Sequence, residues 1–454
     1  MGALALDHTY RYAYASELAQ TRAGARLRLA TCGSGLEHPY FFKGKLTRPE
    51  RAADLLRALV HIVHSRFHVP AAMLSRILAV ADPVVTSGGD FLRFEAFSAC
   101  SSTYARADFL PAAFKGEVFE RGTTNVDFNA PMRAALARIR AADAIELAVG
   151  TDAVELSGPR ESVIERKVTL PVRWLKGFVE VQAYQARMNL CLEIAGAEAQ
   201  RFFRALPRSA PKHVCWVMPA GRGLRLGQTA VKGGVCVGGV ARLRVLEDLS
   251  RHSRVLRIYA EPGTQTSAWE LVLDEGHFHL VLSPEVWRGF SGEGQALADL
   301  AGSEWKQVLP RVRASLKWEA TIDADALAKR LALGKPAMTA ALSALGARGL
   351  VGYDLARQAY FHRELPFDLS RLEMLQPRLR EARKLAATGK VRVLRQTGDQ
   401  VEALVPGSGV EHRVRVTASG SKCTCPWFAK HQGLRGPCKH VLAVQILQES
   451  ALEA

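Results

Sequence analysis

Three cysteines and a histidine, arranged as Cys423-Thr424-Cys425 and Cys438-Lys439-His440, restrict this chain more than any other feature of its sequence. On an extended segment residues two apart share a side, so both thiolates of the first pair can reach one ion. On a regular helix positions two apart diverge. Cys438 therefore belongs in the turn after Gly436-Pro437, and His440 in the first turn of the apolar helix that runs on through Val441, Leu442, Val444 and Ile446. Three thiolates and one imidazole are a closed tetrahedral set for structural Zn2+, with no position left for an activated water. An iron-sulfur cluster usually takes four thiolates. Burial of thiols in a core gives no reason for C-x-C and C-x-H to recur at this spacing. His431 is a spare donor in the connecting loop and stands outside the set.

The other five cysteines, Cys32, Cys100, Cys191, Cys215 and Cys236, are scattered singly, which reads as reduced thiols rather than a disulfide framework. No run of about 20 apolar residues is present for a membrane span. The N-terminus lacks the order of a secretory signal, and a cytoplasmic location is expected. A formal charge of +17 invites a polyanionic partner, because Lys and Arg on phosphates supply most sequence-independent nucleic-acid affinity. Against this, the basic residues are spread along the chain without a polybasic tract.

At 454 residues the chain exceeds what one core supports, and an α+β multidomain protein is expected. Residues 1–210 read as an α+β domain. Thr47-Arg48-Pro49-Glu50 has the form of a capping box, and Ala52, Leu55, Leu56, Leu59 and Val63 follow at helical spacing. A second amphipathic helix is expected around Met73 to Leu78, a strand at Phe91 to Phe97, and a hairpin from Ala144–Val149 and Ala153–Leu156. His61, His64 and His68 lack a completing ligand and read as ordinary helix residues. Residues 211–300 read as an antiparallel β domain with runs at Val235–Val237, Ala241–Val245, Val255–Ala260, Trp269–Leu273 and Phe278–Leu282. His277 and His279 share a strand face there, with no third ligand placed. Residues 301–370 give three helices and a hairpin, the layout of a winged helix-turn-helix. Its third helix offers only Lys335, Thr339 and Ser343, with Arg348 near its end, which equips it poorly to read bases.

Residues 371–454 form a helical linker, three short strands between 391 and 417, and the Cys and His pairs. This C-terminal arrangement closely resembles the SWIM zinc finger over about 391–450. Upstream segments, including Gly122 to Asn129 and Trp287 to Gly294, look like those of bacterial SWIM zinc finger family proteins. The resemblance implies a ββα-type finger with one structural Zn2+ on Cys423, Cys425, Cys438 and His440, serving recognition of DNA or protein. It also implies a partner role beside MoxR-type ATPase and von Willebrand A-type proteins. Three readings stay open. In the first, the chain is a nucleic-acid-binding subunit contacting phosphates through Lys422, Lys430, Arg435 and Lys439 of the finger and through Lys335 and Arg348. In the second it is a protein adaptor. In the third it is an enzyme with a site in the first 300 residues, where Asn125, Asp127 and Asn129 are the most suggestive group; an Asx-bonded turn explains the same three, so the chain is expected not to be an enzyme.

Overall fold

A computed structural model describes residues 17–21, 24–28, 40–65, 67, 83–126, 128, 130–151, 153–159, 162–166, 172–208, 214–261, 263–287, 289–290, 294–297, 304–316, 319–365, 376–397, 400–417 and 420–452. It is a mixed α/β protein with several antiparallel sheets. Among the described residues no helix is long and apolar enough to cross a membrane.

The largest sheet has eight strands in the order Asn189–Ala195, Val255–Glu261, Thr266–Val272, Gly276–Leu282, Thr103–Phe109, Leu92–Phe97, Val84–Ser87, Gly122–Asn125, each antiparallel to its neighbour. Strands from both sides of residue 210 lie in this one sheet, so the division expected there is not a boundary between sheets. A five-stranded sheet stands beside it, ordered Ser162–Arg166, Ala153–Ser157, Glu146–Gly150, Tyr40–Leu46, Phe114–Phe119. The expected hairpin lies inside it, with Val154 opposite Val149, and Ser162–Arg166 forms the edge beyond.

The helix Pro49–His64 forms where the apolar spacing places it, and buries Leu55, Leu56, Leu59, Ile62 and Val63. Its cap differs from the expectation. The N-cap is Arg48, no side chain caps the first turn, and the Thr47 hydroxyl instead donates to the Ala112 carbonyl at 2.8 Å. The helix expected near Met73 lies outside the described residues. Ala241–Val245, expected as a strand, lies in the 3-10 helix Val240–Val245, where the Arg242 side chain turns inward and donates to the carbonyls of Gly238, Ser102 and Ser283.

Helices Glu304–Ser315, Ala324–Leu331 and Lys335–Ala347 are followed by the hairpin Val351–Asp354 and Ala359–His362. Asp323 caps the second helix by accepting from the Ala326 N–H, as its position suggests. The third helix packs on the first and on Val172–Gln185; a Cβ on Gly346 would lie 2.0 Å from the Gln182 amide.

The hairpin closes over a buried charge network on the large sheet. Arg93 grips Asp108 with two bonds of 2.7 and 2.9 Å, and Asp354 of the hairpin bridges Arg93 at 2.5 Å and Arg106 at 3.1 Å. Arg363 donates to Glu95 at 2.6 Å. Arg106 also donates to His279 Nε2 at 2.7 Å, and His277 meets Glu270 at 2.5 Å. Arg93, Arg106, Glu270, His279 and Asp354 are all buried.

Burial, then the neighbouring Arg106 guanidinium, holds the His279 imidazole well below its ordinary range. An unfolded His titrates near 6.5, so below that pH the unfolded chain binds a proton that the folded chain refuses. The stabilisation is complete above about 6.5 and is lost as pH falls, at about 1.4 kcal/mol per pH unit for one proton. Urea unfolding between pH 6.5 and 5 should show this slope, and His279→Gln should flatten it by one proton. An unchanged slope in the variant would assign the acid sensitivity elsewhere, with His252 and His412, also lowered, the next groups to change.

Candidate metal centre

The C-terminal unit is a four-stranded antiparallel sheet, Arg392–Thr397, Gln400–Pro406, Glu411–Thr417, Gly420–Cys423, backed by the helix Lys439–Leu452. Val401, Ala403, Val405 and Val414 alternate toward that helix and meet Val441, Leu442 and Val444 in a small core. The fourth strand and the short helix Pro426–His431 were not anticipated from the sequence. Pro426 right after Cys425 is the signal for that helix, since Pro favours the first helical position.

Each ligand sits where chain geometry fixes it. Cys423 ends the fourth strand, Cys425 is the N-cap of Pro426–His431, and Cys438 precedes the long helix, of which His440 is the second residue. The four donor atoms lie within 4.8 Å of one another, and all four residues are buried. His440 Nδ1 faces Cys423 Sγ at 3.9 Å. Backbone N–H groups point at all three sulfurs: Cys425 N to Cys423 at 3.4 Å, Phe428 N to Cys425 at 3.3 Å, Val441 N to Cys438 at 3.5 Å. Such donors stabilise thiolates.

The hydrogen bond from Cys423 pulls the Cys438 thiol down to about 4, while the same bond and burial push Cys423 up, and burial raises Cys425. A bound dication lets all three ionise, which is the condition for a Cys3His zinc site. The residues fit Zn2+, whose contribution is to join two ends of a small fold that has little core of its own.

The finger is docked on the rest of the chain. Arg378, on the helix Pro377–Ala387, donates to the carbonyls of Arg435 at 2.8 Å and Pro437 at 3.2 Å, and its guanidinium lies 4.6 Å from the centre of the Trp427 ring. Gln295 donates to Leu434 O at 3.0 Å while its own N–H donates to Glu180. Gly436, at φ +70°, sits against Gly294 O so closely that a Cβ would lie 1.9 Å away.

The cations expected to meet phosphates are dispersed. Lys422 and Lys430 are exposed, while Arg435 and Lys439 are half-buried. Lys335 pairs with Asp325 at 3.1 Å, and the Arg348 guanidinium lies 5.0 Å from the Trp305 ring centre. Asn125 is buried in its strand; Asp127 and Asn129 lie outside the described residues. The pair His277 and His279 does gain a third donor, Glu270, within 4.8 Å. Arg106 already donates to His279 Nε2, and Tyr259 to Glu270 at 2.8 Å, so these lone pairs serve the buried network.

Residues 412–446 match the SWIM zinc finger family. No curated protein matches the chain. Among solved structures it is similar to Proliferating Cellular Nuclear Antigen from Entamoeba histolytica, at 10% identity over 54% of this chain and 99% of that one, with a TM-score of 0.35. That score is too low to argue from. The family match and the buried Cys3His cluster agree: the C-terminal part of this chain is a SWIM zinc finger, and its cofactor is one structural Zn2+.

Proposed function

We propose that the chain is a non-enzymatic, zinc-dependent binding subunit whose finger contacts nucleic acid. The observation that carries this is charge on a closed metal site. Residues 390–452 hold nine Lys and Arg against four Asp and Glu, around a donor set that leaves the metal no open position for chemistry. Lys422, exposed on the strand that ends in Cys423, is the proposed phosphate contact among the residues nearest the ligands.

Helices 304–347 and their hairpin are read as a winged helix serving architecture. Its third helix buries Met338, Ala341, Leu342 and Leu345, and its hairpin is held over the charge network by Asp354. That commitment favours a second reading, a protein adaptor such as one for a MoxR-type ATPase and von Willebrand A-type system, in which the finger meets protein. Titrating zinc-loaded protein into labelled single- and double-stranded DNA separates the two. Binding that weakens steeply with salt is the expected result; no binding at about 50 mM salt would overturn the nucleic-acid reading in favour of the adaptor.

A further inference from the structure

Side chains on the finger sheet alternate, and the face turned away from the helix Lys439–Leu452 carries a lattice of cations. One row across all four strands reads Lys422, Arg415, Glu402, Arg395, each directly opposite the next. The next row has Arg413 opposite Leu404 and Leu404 opposite Arg392. Neighbouring strands are about 4.8 Å apart and alternate residues along a strand about 6.8 Å, so five cations share a patch roughly 14 Å wide. Two carboxylates answer them. Glu402 is bonded by Arg413, and Glu411 by Arg392 at 3.1 Å, which leaves three positive charges in excess. A hollow of about 420 Å³ opens among Arg395, Gln400, Glu402, Arg413 and Arg415.

Placing Lys422 directly opposite Arg415 costs stability, because like charges facing across strands repel. A polyanion laid over the pair would reverse that cost. The face is also devoid of aromatic rings among the described residues: Trp427 is covered by Arg378 and His431, and Phe428 is buried. Single-strand binders stack bases on such rings, whereas contacts to a duplex backbone need only the cations.

The metal centre fixes the lattice. Thr424, between the ligands Cys423 and Cys425, is bonded to Arg413 in both directions, Thr424 N to Arg413 O at 3.1 Å and Arg413 N to Thr424 Oγ1 at 3.0 Å. Val414 is opposite Cys423, and Arg415 opposite Lys422. A metal that holds both cysteines therefore holds the register that turns Arg413 and Arg415 outward, since a slip of one residue would send them inward.

We infer that this outward sheet face is the docking surface for the phosphate backbone of duplex nucleic acid, and that zinc sets its register. The inference rests on the nucleic-acid reading above and names a different surface from Lys430, Arg435 and Lys439. The test uses the full chain and a labelled DNA duplex of arbitrary sequence, titrated from 50 to 200 mM salt. Three variants are compared: R395Q/R413Q/R415Q, K430A/R435A/K439A, and Arg395→Glu, which sits on the edge strand away from the ligands and stands in if the first variant fails to retain zinc.

The face variant should bind at least ~10-fold more weakly at low salt and lose about 2.7 units of salt slope, close to 0.9 for each of three phosphates. It should keep its zinc. The Lys430 variant should stay within about threefold of the parent, and chelation should abolish binding until Zn2+ is returned. Parental affinity in the face variant, with loss in the Lys430 variant, would overturn this surface while leaving the nucleic-acid reading intact. A clear preference for single strands would overturn the duplex assignment, and undiminished binding after chelation would overturn the role of zinc. Failure of the parent protein to bind any DNA would remove the reading itself.

Discussion

Replacing Cys423 or Cys438 with Ser is expected to take the zinc content from one per chain to near none, and to remove on the order of 10 kcal/mol from the folding of the finger. The magnitude follows from the small core: Val401, Ala403, Val405, Val414 and the first turns of Lys439–Leu452 cannot offset the ordering of some sixty residues without the metal. The finger alone would be expected to unfold locally on chelation. The docking of Gly436 on Gly294, and the bonds from Arg378 and Gln295, extend the expected damage. Hydrogen exchange should quicken at 294–297 and along Pro377–Ala387 as well as in the finger, while the eight-stranded sheet stays protected. Metal analysis and exchange mass spectrometry check both parts. A stoichiometry near zero in the parent protein, or an unchanged one in both variants, would be incompatible with a zinc finger.

Asp354→Ala is expected to cost about 3–5 kcal/mol of stability, because it leaves the buried Arg93 and Arg106 guanidiniums to share the one carboxylate of Asp108. The carboxylate has a second task, since Oδ1 accepts the N–H groups of Ala356 at 3.1 Å and Arg357 at 3.3 Å and so shapes the hairpin turn. Asp354→Asn keeps a group that can hold the turn while removing the charge, and should recover only part of the loss. Asp325→Ala breaks an exposed pair with Lys335 and serves as the comparison, with an expected change of about 0–1 kcal/mol. Denaturant unfolding of the three variants decides the matter. A loss under about 1 kcal/mol for Asp354→Ala would mean that water reaches the network.

Why the metal site was legible and the charge network was not comes down to distance along the chain. Both ligand pairs lie within one small unit, and two-residue spacings have direct geometric meaning there. The network joins residues such as Arg106 and His279, which are 173 positions apart. Leu92-Arg93-Phe94-Glu95 and Tyr104-Ala105-Arg106-Ala107-Asp108 alternate as a sheet with one wet face would. Both strands are instead buried on both faces. The one signal available was the matching order of charges, Arg then Glu against Arg then Asp, which suits antiparallel neighbours. Ala241–Val245 misled for a similar reason: Val240, Leu243 and Leu246 are buried at intervals of three, a 3-10 period, while the alternation of Arg242 and Arg244 suits a strand. Thr47 carried the right letters for a capping box, and the nearby Ala112 carbonyl took its hydroxyl.

The same interleaving of strands governs how the chain is made. Thr103–Phe109 pairs on one side with Leu92–Phe97, which precedes it, and on the other with Gly276–Leu282. At about 5–20 residues per second, the ribosome needs roughly 9 to 35 s to deliver the second partner. During that interval Arg106 has no His279 to meet, and one edge of a central strand stands open to any other extended segment. Production at low temperature or with co-expressed holdases should therefore raise the yield of soluble protein more than any change confined to the finger.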